Sequence, residues 1–165
     1  MTSIRRFEDL IAWQRARTLA VQVYRVTREG QFVRDFGLCD QVRRAATSTM
    51  ANLAEGFERG RVSEFHQFVS TAKASCAELR SHLYLATDIG YLSSSDSSEL
   101  MQMANELGRI LGGLRAAVAR ERERGSVRIS EKRHTPSAII SLSTRNSALT
   151  QDAGLRTHKT PGWRR

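Results

Sequence analysis

The sequence predicts an all-α protein: an antiparallel up-down four-helix bundle over residues 1–122, followed by a basic low-order tail over residues 123–165. Three observations carry this. Proline occurs only at Pro136 and Pro161, so the preceding 135 residues lack the residue that interrupts helices. Ala, Leu, Arg, Glu and Gln dominate the first three quarters, which favours helix over strand. Four segments place apolar residues at steps of three and four, the signature of a buried helical face. At 165 residues the chain is long enough for one domain with a proper core.

The first helix is expected from about Phe7 to Glu29-Gly30. Thr2 or Ser3 could cap it, and Glu8 and Asp9 suit its positive end. Phe7, Leu10, Trp13, Ala20, Val23 and Tyr24 form its apolar stripe, widened by Ile11, Leu19, Val21 and Val26. Gly30 can end it in the left-handed conformation. The link from Gly30 to Gly37 is short, and its Phe32 and Phe36 are expected to plug the end of the bundle. Asp35 is the candidate cap of the second helix, which runs to about Phe57.

That second helix carries two stripes. Leu38, Val42, Ala45, Thr49, Leu53 and Gly56 make a small, mostly apolar face, and small residues let helix axes approach closely. Gln41, Arg44, Ser48, Asn52 and Glu55 run beside it, about 100° away. A polar stripe graded from cation and amide to amide and carboxylate reads as a hydrogen-bonded seam between packed helices; a solvated face is the alternative. Glu55 is not read as catalytic, because nothing nearby supplies a base, metal ligand or nucleophile.

Glu58-Arg59-Gly60-Arg61 is a tight basic turn. The third helix starts at Ser63 or just before it, carries Phe65, Phe68, Ala72, Cys76, Leu79, Leu83 and Ala86, and stops at Gly90. Ser93-Ser94-Ser95-Asp96 is a loop whose last members can cap the fourth helix. Leu100, Met103, Leu107, Ile110, Leu114 and Val118 follow at helical spacing. Gly108, Gly112 and Gly113 each cost about 1 kcal/mol against Ala there, so they mark either close contact with another helix or local weakness. The periodicity stops after about Arg122, and the Ser/Thr/Arg-rich composition beyond it has no sustained period.

The formal net charge is +9. Residues 1–122 hold 17 Lys and Arg against 14 Asp and Glu, and residues 123–165 hold nine against three, so the tail carries +6. Such a chain suits a polyanion, nucleic acid before anionic membrane. Cys39 and Cys76 do not form a disulfide framework and read as buried thiols in a reducing cytoplasm. The N-terminus has no apolar signal region, and no run approaches the roughly 18 apolar residues that span a membrane. A cytoplasmic protein with no membrane partner is expected.

No reaction is legible. His66, His82, His134 and His158 show no metal-ligand spacing, and a helical hydrogen bond to Glu78 is the simpler reading of His82. There is no phosphate loop, no Gly-x-Ser-x-Gly and no carboxylate pair with acid–base partners. The chain is read as non-enzymatic, without metal or cofactor.

The segments FEDLIAWQRA, FGLCDQVRRAATSTMANLAEGFERG and FVSTAKASCAELRSHLYLATDIGYL resemble the four-helix-bundle proteins encoded in intervening sequences of bacterial 23S rRNA genes, also labelled the S23 ribosomal protein family. The resemblance covers residues 7 to about 120 and is most specific at Gln41, Arg44, Ala45, Ser48, Asn52, Ala54, Glu55 and Gly56, then Ser75, Glu78 and Leu79. Proline is usual where Val33 and Met50 stand and glycine where Ala74 stands; the first two departures remove helix-entry or kink constraints. The basic tail is outside the family pattern. The resemblance implies cytoplasmic homopentamers and a similarity to the accessory proteins of diversity-generating retroelements, basic pentameric barrels that bind nucleic acid and a reverse transcriptase.

The expected function is an oligomeric, non-enzymatic module for nucleic acid, structured RNA first. Arg15, Arg17, Arg25, Arg28, Arg43, Arg59 and Arg61 are the candidate contacts, since the guanidinium fork donates two hydrogen bonds to phosphate. Their alternative is solvated faces or ion pairs. The other function class is a ring-shaped protein-interaction scaffold docking a partner such as a reverse transcriptase, with Trp13, Tyr24 and Tyr91 as first anchors.

Overall fold

In the computed structural model, which describes residues 4–128, four helices follow one another: α1 (Ile11–Val26), α2 (Phe36–Glu58), α3 (Val62–Asp88) and α4 (Ser94–Arg128). No strand occurs among the described residues. Neighbours are joined by short links and run antiparallel, up-down-up-down. Thr2, Ser3, His134, His158 and residues 129–165 of the basic tail lie outside the described residues.

The first helix begins later than its periodicity predicts. Phe7–Asp9 forms a 3-10 turn, and Leu10 interrupts with an extended backbone (φ −70°, ψ 118°). The break puts the Leu10 side chain into the core and sets Phe7 edge-on against Trp13, ring centroids 5.1 Å apart. Gln14 Nε2 donates to the Glu8 carbonyl at 2.7 Å, satisfying a group the interruption would orphan. At the other end α1 stops at Val26, and the buried Thr27 still donates to the Val23 carbonyl from its backbone N–H at 3.1 Å and its hydroxyl at 2.8 Å. Gly30 then takes φ 62°.

Asp35 caps α2 by accepting from the Leu38 backbone N–H at 2.9 Å. Phe32 fills the end of the bundle, wholly buried and 5.6 Å from the Tyr91 ring. Phe36 does not: it stands on the outer side of the first turn of α2 and is 82% exposed. Ser93, the first rather than a last member of its serine cluster, caps α4 by accepting from the Asp96 N–H at 3.1 Å while donating to its carboxylate at 2.6 Å. The helix continues to Arg128, past the predicted end near Arg122. Residues 120–124 read RERER, good helix formers stitched by Glu121–Arg124 at 4.0 Å, and need no apolar stripe to stay helical.

Leu19, Val23, Val42, Leu53, Leu79, Leu83, Leu100, Leu107 and Leu111 make the centre of the core. The tightest approach is at Gly56. A methyl group there would overlap Phe68 Cβ and come within 3.2 Å of Phe65 Cδ2, so α2 and α3 close against each other only because this position lacks a side chain. Gly108 and Gly112, by contrast, have room: nothing lies within 4 Å of a methyl at Gly108, and only the Lys73 Cε lies near one at Gly112, at 3.8 Å. The close contact that glycines mark is on α2, not at these two positions of α4.

Candidate nucleic-acid interface and polar seam

The polar stripe of α2 resolves into a short seam with exposed ends. Ser48 Oγ meets Ser75 Oγ of α3 at 3.0 Å, and Asn52 Nδ2 donates to the Ser48 carbonyl at 2.7 Å and to its hydroxyl at 3.1 Å. Ser75 is buried, so this hydroxyl pair satisfies a group that would otherwise be desolvated without a partner. Gln41, Arg44 and Glu55 are exposed. Arg44 reaches Asp40 at 3.7 Å and Glu55 accepts from Arg59 at 2.7 Å, both within or just beyond their own helix. The reason is rotational: mixed steps of three and four make the stripe waver, and Arg44 and Glu55 fall on its outer side. Arg44, Ala45, Thr47, Ser48, Ala51 and Glu78 line an open cleft of about 350 Å³ over the seam. His82 lies 3.7 Å from Glu78, beyond hydrogen-bond reach.

The seven candidate arginines separate by what already holds them. Arg15 pairs with Glu106 of α4 at 3.5 Å, and Arg25 with Asp96 and Glu99 at 3.3 and 3.8 Å. Arg43 is half-buried, donating to the Thr27 hydroxyl at 2.8 Å and carbonyl at 2.9 Å and lying 5.1 Å from the centre of the Tyr24 ring. It locks the end of α1 to α2. Arg59 bonds Glu55, which raises its pKa above the ordinary value, and stacks 5.4 Å from the Phe68 ring. Arg61 donates to Glu64 at 3.2 Å. Arg17 lies 5.8 Å from the Trp13 ring centre and Arg28 is exposed; neither has a carboxylate partner among the described residues. The arrangement brings Arg17, Arg25 and Arg28 to the outer side of α1, Arg59 and Arg61 to the opposite end of the bundle at the α2–α3 turn, and buries part of Arg43 between.

Charge spacing along α4 explains why so many α1 cations are engaged. Its first part, residues 94–108, holds Asp96, Glu99 and Glu106 and no Lys or Arg. Ten residues separate Arg15 from Arg25 and ten separate Glu106 from Asp96, so the antiparallel register matches acid to base step for step.

Five exposed arginines outside the seven candidates have no side-chain hydrogen bond or ion pair among the described residues: Arg5, Arg34, and Arg109, Arg115 and Arg120 of α4. A finer division of the chain's charge would have pointed to the three of α4. Residues 1–108 hold 13 Lys and Arg and 13 Asp and Glu; residues 109–165 hold 13 against four.

Cys39 and Cys76 are both free and buried. Cys76 donates to the Ala104 carbonyl at 3.4 Å, and burial pushes its thiol pKa up. Among the described residues no group of three or more His, Cys, Asp or Glu could hold a metal ion, and no helix is long and apolar enough to cross a membrane.

Residues 8–113 match the 23S rRNA-intervening sequence protein family. The chain belongs to that family. Its fold is also similar to a solved structure from Bacteroides thetaiotaomicron, described as a protein of unknown function from the S23 ribosomal protein family. The two share 19% identity with a TM-score of 0.57, over 61% of this chain and 94% of the other. No curated protein matches the chain. The 23S rRNA-intervening sequence family match covers α1, α2, α3 and the first part of α4, and stops before the last turns of α4 and the tail.

Proposed function

We propose that this member of the family is a non-enzymatic, self-associating bundle that binds structured RNA through surface arginines. One observation carries the reading: the chain holds nine positive charges in surplus, and exposed arginines, Arg17 and Arg28 among the seven sequence candidates, stand without a carboxylate partner among the described residues. Arg15, Arg25, Arg59 and Arg61 are ion-paired, and Arg43 is hydrogen-bonded between helices; these five serve the bundle first. Several copies in one assembly would repeat each weak phosphate contact, and multivalency raises affinity without new contacts. Crosslinking in cells followed by sequencing of bound RNA tests the function. Enrichment of one structured transcript is the expected result, and no enrichment rejects it.

Self-association has its own support. Val21, Phe36, Tyr84, Leu85 and Ile89 are large apolar side chains left exposed, at 61% for Val21 and 55% for Tyr84. They lie on α1, the start of α2 and the end of α3, so more than one surface is available to a copy of the chain or to a different protein. The scaffold reading draws on the same residues. Of its three first anchors Tyr24 alone is exposed; Trp13 packs on Phe7 and Tyr91 on Phe32. Mass determination in solution is expected to give a homo-oligomer, the pentamer that the family resemblance implies, and a monomer would remove this part of the proposal.

A further inference from the structure

The two parts of the chain with 13 cations each differ in what those cations meet. Up to residue 108 every positive charge is balanced in number by a negative one; from residue 109 onward the surplus is nine, equal to the charge of the whole protein. The described part of this basic region is one helix. Between residues 109 and 128, α4 carries Arg109, Arg115, Arg120, Arg122, Arg124 and Arg128 against Glu121 and Glu123. We infer that this basic half of α4 is the polyanion-binding surface of the protein, and that its occupant is the phosphodiester backbone of a folded RNA. The inference rests on the nucleic-acid reading above and moves its contact away from α1.

The register fixes where this surface lies. Arg15, which pairs with Glu106, lies in the second turn of α1, so continuing the antiparallel match carries Arg115 and Arg120 past Ile11, the first residue of that helix. The basic turns thus stand at the end of the bundle where α1 begins, and lead directly into residues 129–165, which hold seven Lys and Arg against two Asp and Glu. Arg109 and Arg120 are eleven residues apart, three helical turns and about 16 Å on the same face. Between them on that face lie Gly112 and Ala116, which leave the helix surface low, so that a phosphate backbone can approach without a bulky side chain in the way.

Neither helix-dipole compensation nor membrane docking accounts for this charge. Basic residues at a helix C-terminus stabilise the dipole, but that effect dies out within the last turn. Arg109 and Arg115 precede the end of α4 by 19 and 13 residues. A helix lying on an anionic membrane needs a free apolar face to insert. The apolar face of α4, through Leu107, Leu111, Leu114 and Val118, is already buried in the core.

The test is a salt titration of the full chain against a fluorescent RNA hairpin of mixed sequence, with a DNA duplex and phosphatidylserine vesicles as parallel probes. The R109Q/R115Q/R120Q variant should fold unchanged, since these side chains hold nothing, and its thermal melt checks that. Between about 50 and 200 mM salt its log–log slope should be shallower than wild type by roughly 2 to 3, close to one per lost phosphate contact, with affinity down roughly tenfold or more. R17Q/R28Q should move the slope by less. A wild-type slope retained by the triple variant overturns the placement while leaving RNA binding intact. Wild-type protein that ignores the hairpin overturns the RNA function itself. Binding to vesicles without the hairpin, or to the DNA duplex in preference to it, overturns the choice of occupant.

Discussion

Helices α2 and α3 meet through glycine and hydroxyls, whereas α1 and α4 are tied along their outer edge by arginine and carboxylate. At the first contact Gly56 lets Phe65 and Phe68 press onto α2, and Ser48 shares a hydrogen bond with the buried Ser75. At the second, Arg15–Glu106 and Arg25–Asp96 sit in solvent. The lesson is that this protein's stability and its charge are handled by different pairs of helices. Close packing carries free energy that water cannot replace; exposed ion pairs carry little, about 0 to 1 kcal/mol, and chiefly set register.

Substitutions should separate the two pairs, in descending size. Leu79→Ala, on α3, should cost about 3 kcal/mol or more in urea unfolding, because a fully buried leucine leaves a cavity in a core that cannot collapse. Gly56→Ala should cost about 2 kcal/mol by forcing the α2 and α3 axes apart, although alanine is the better helix former. If it proves neutral or stabilising, the tight contact does not exist. Ser75→Ala should cost about 1 kcal/mol, because the Ser48 hydroxyl loses its partner on α3. The Cys76 thiol is raised by burial, so the folded state holds its proton longer than the unfolded one. Its contribution is complete below the unfolded-state pKa, near 9.0, and is lost as pH rises above that, through the raised folded value; Cys76→Ala should flatten this part of the pH–stability curve. Smallest of all, Arg25→Gln should shift stability by under about 0.5 kcal/mol, and added salt should erase the difference.

The helices were legible because burial imposes a period. Leu79, Leu83 and Ala86 recur at helical spacing, and every one is buried. What periodicity does not encode is where a helix gives way locally. Leu10 fits the α1 stripe yet breaks the helix, since an apolar residue can reach the core from an extended backbone as well as a helical one. Phe36 fits an end-plug by type, but its position on the first turn of α2 turns it to solvent. The candidate site was less legible still. Residue type alone cannot tell an arginine that faces a partner from one paired within its own bundle, and Arg15, Arg25 and Arg43 needed the register of α1 against α4 and α2 to be assigned. Arg109, Arg115 and Arg120 were accessible to simple counting, but a boundary drawn where periodicity ends divided the basic stretch in two.

The Arg59-Gly60-Arg61 turn, with Gly60 at φ 68°, joins α2 to α3 with three residues, against nine between α1 and α2. Closing so short a connection costs little chain entropy, and its reward is the closest packing in the molecule. That combination predicts that the α2–α3 hairpin forms before α1 and α4 dock, so φ-values should be highest on these two helices. In native-state hydrogen exchange the amides around Ser48 and Ser75 should therefore be the last to open, and those of the α4 basic turns the first.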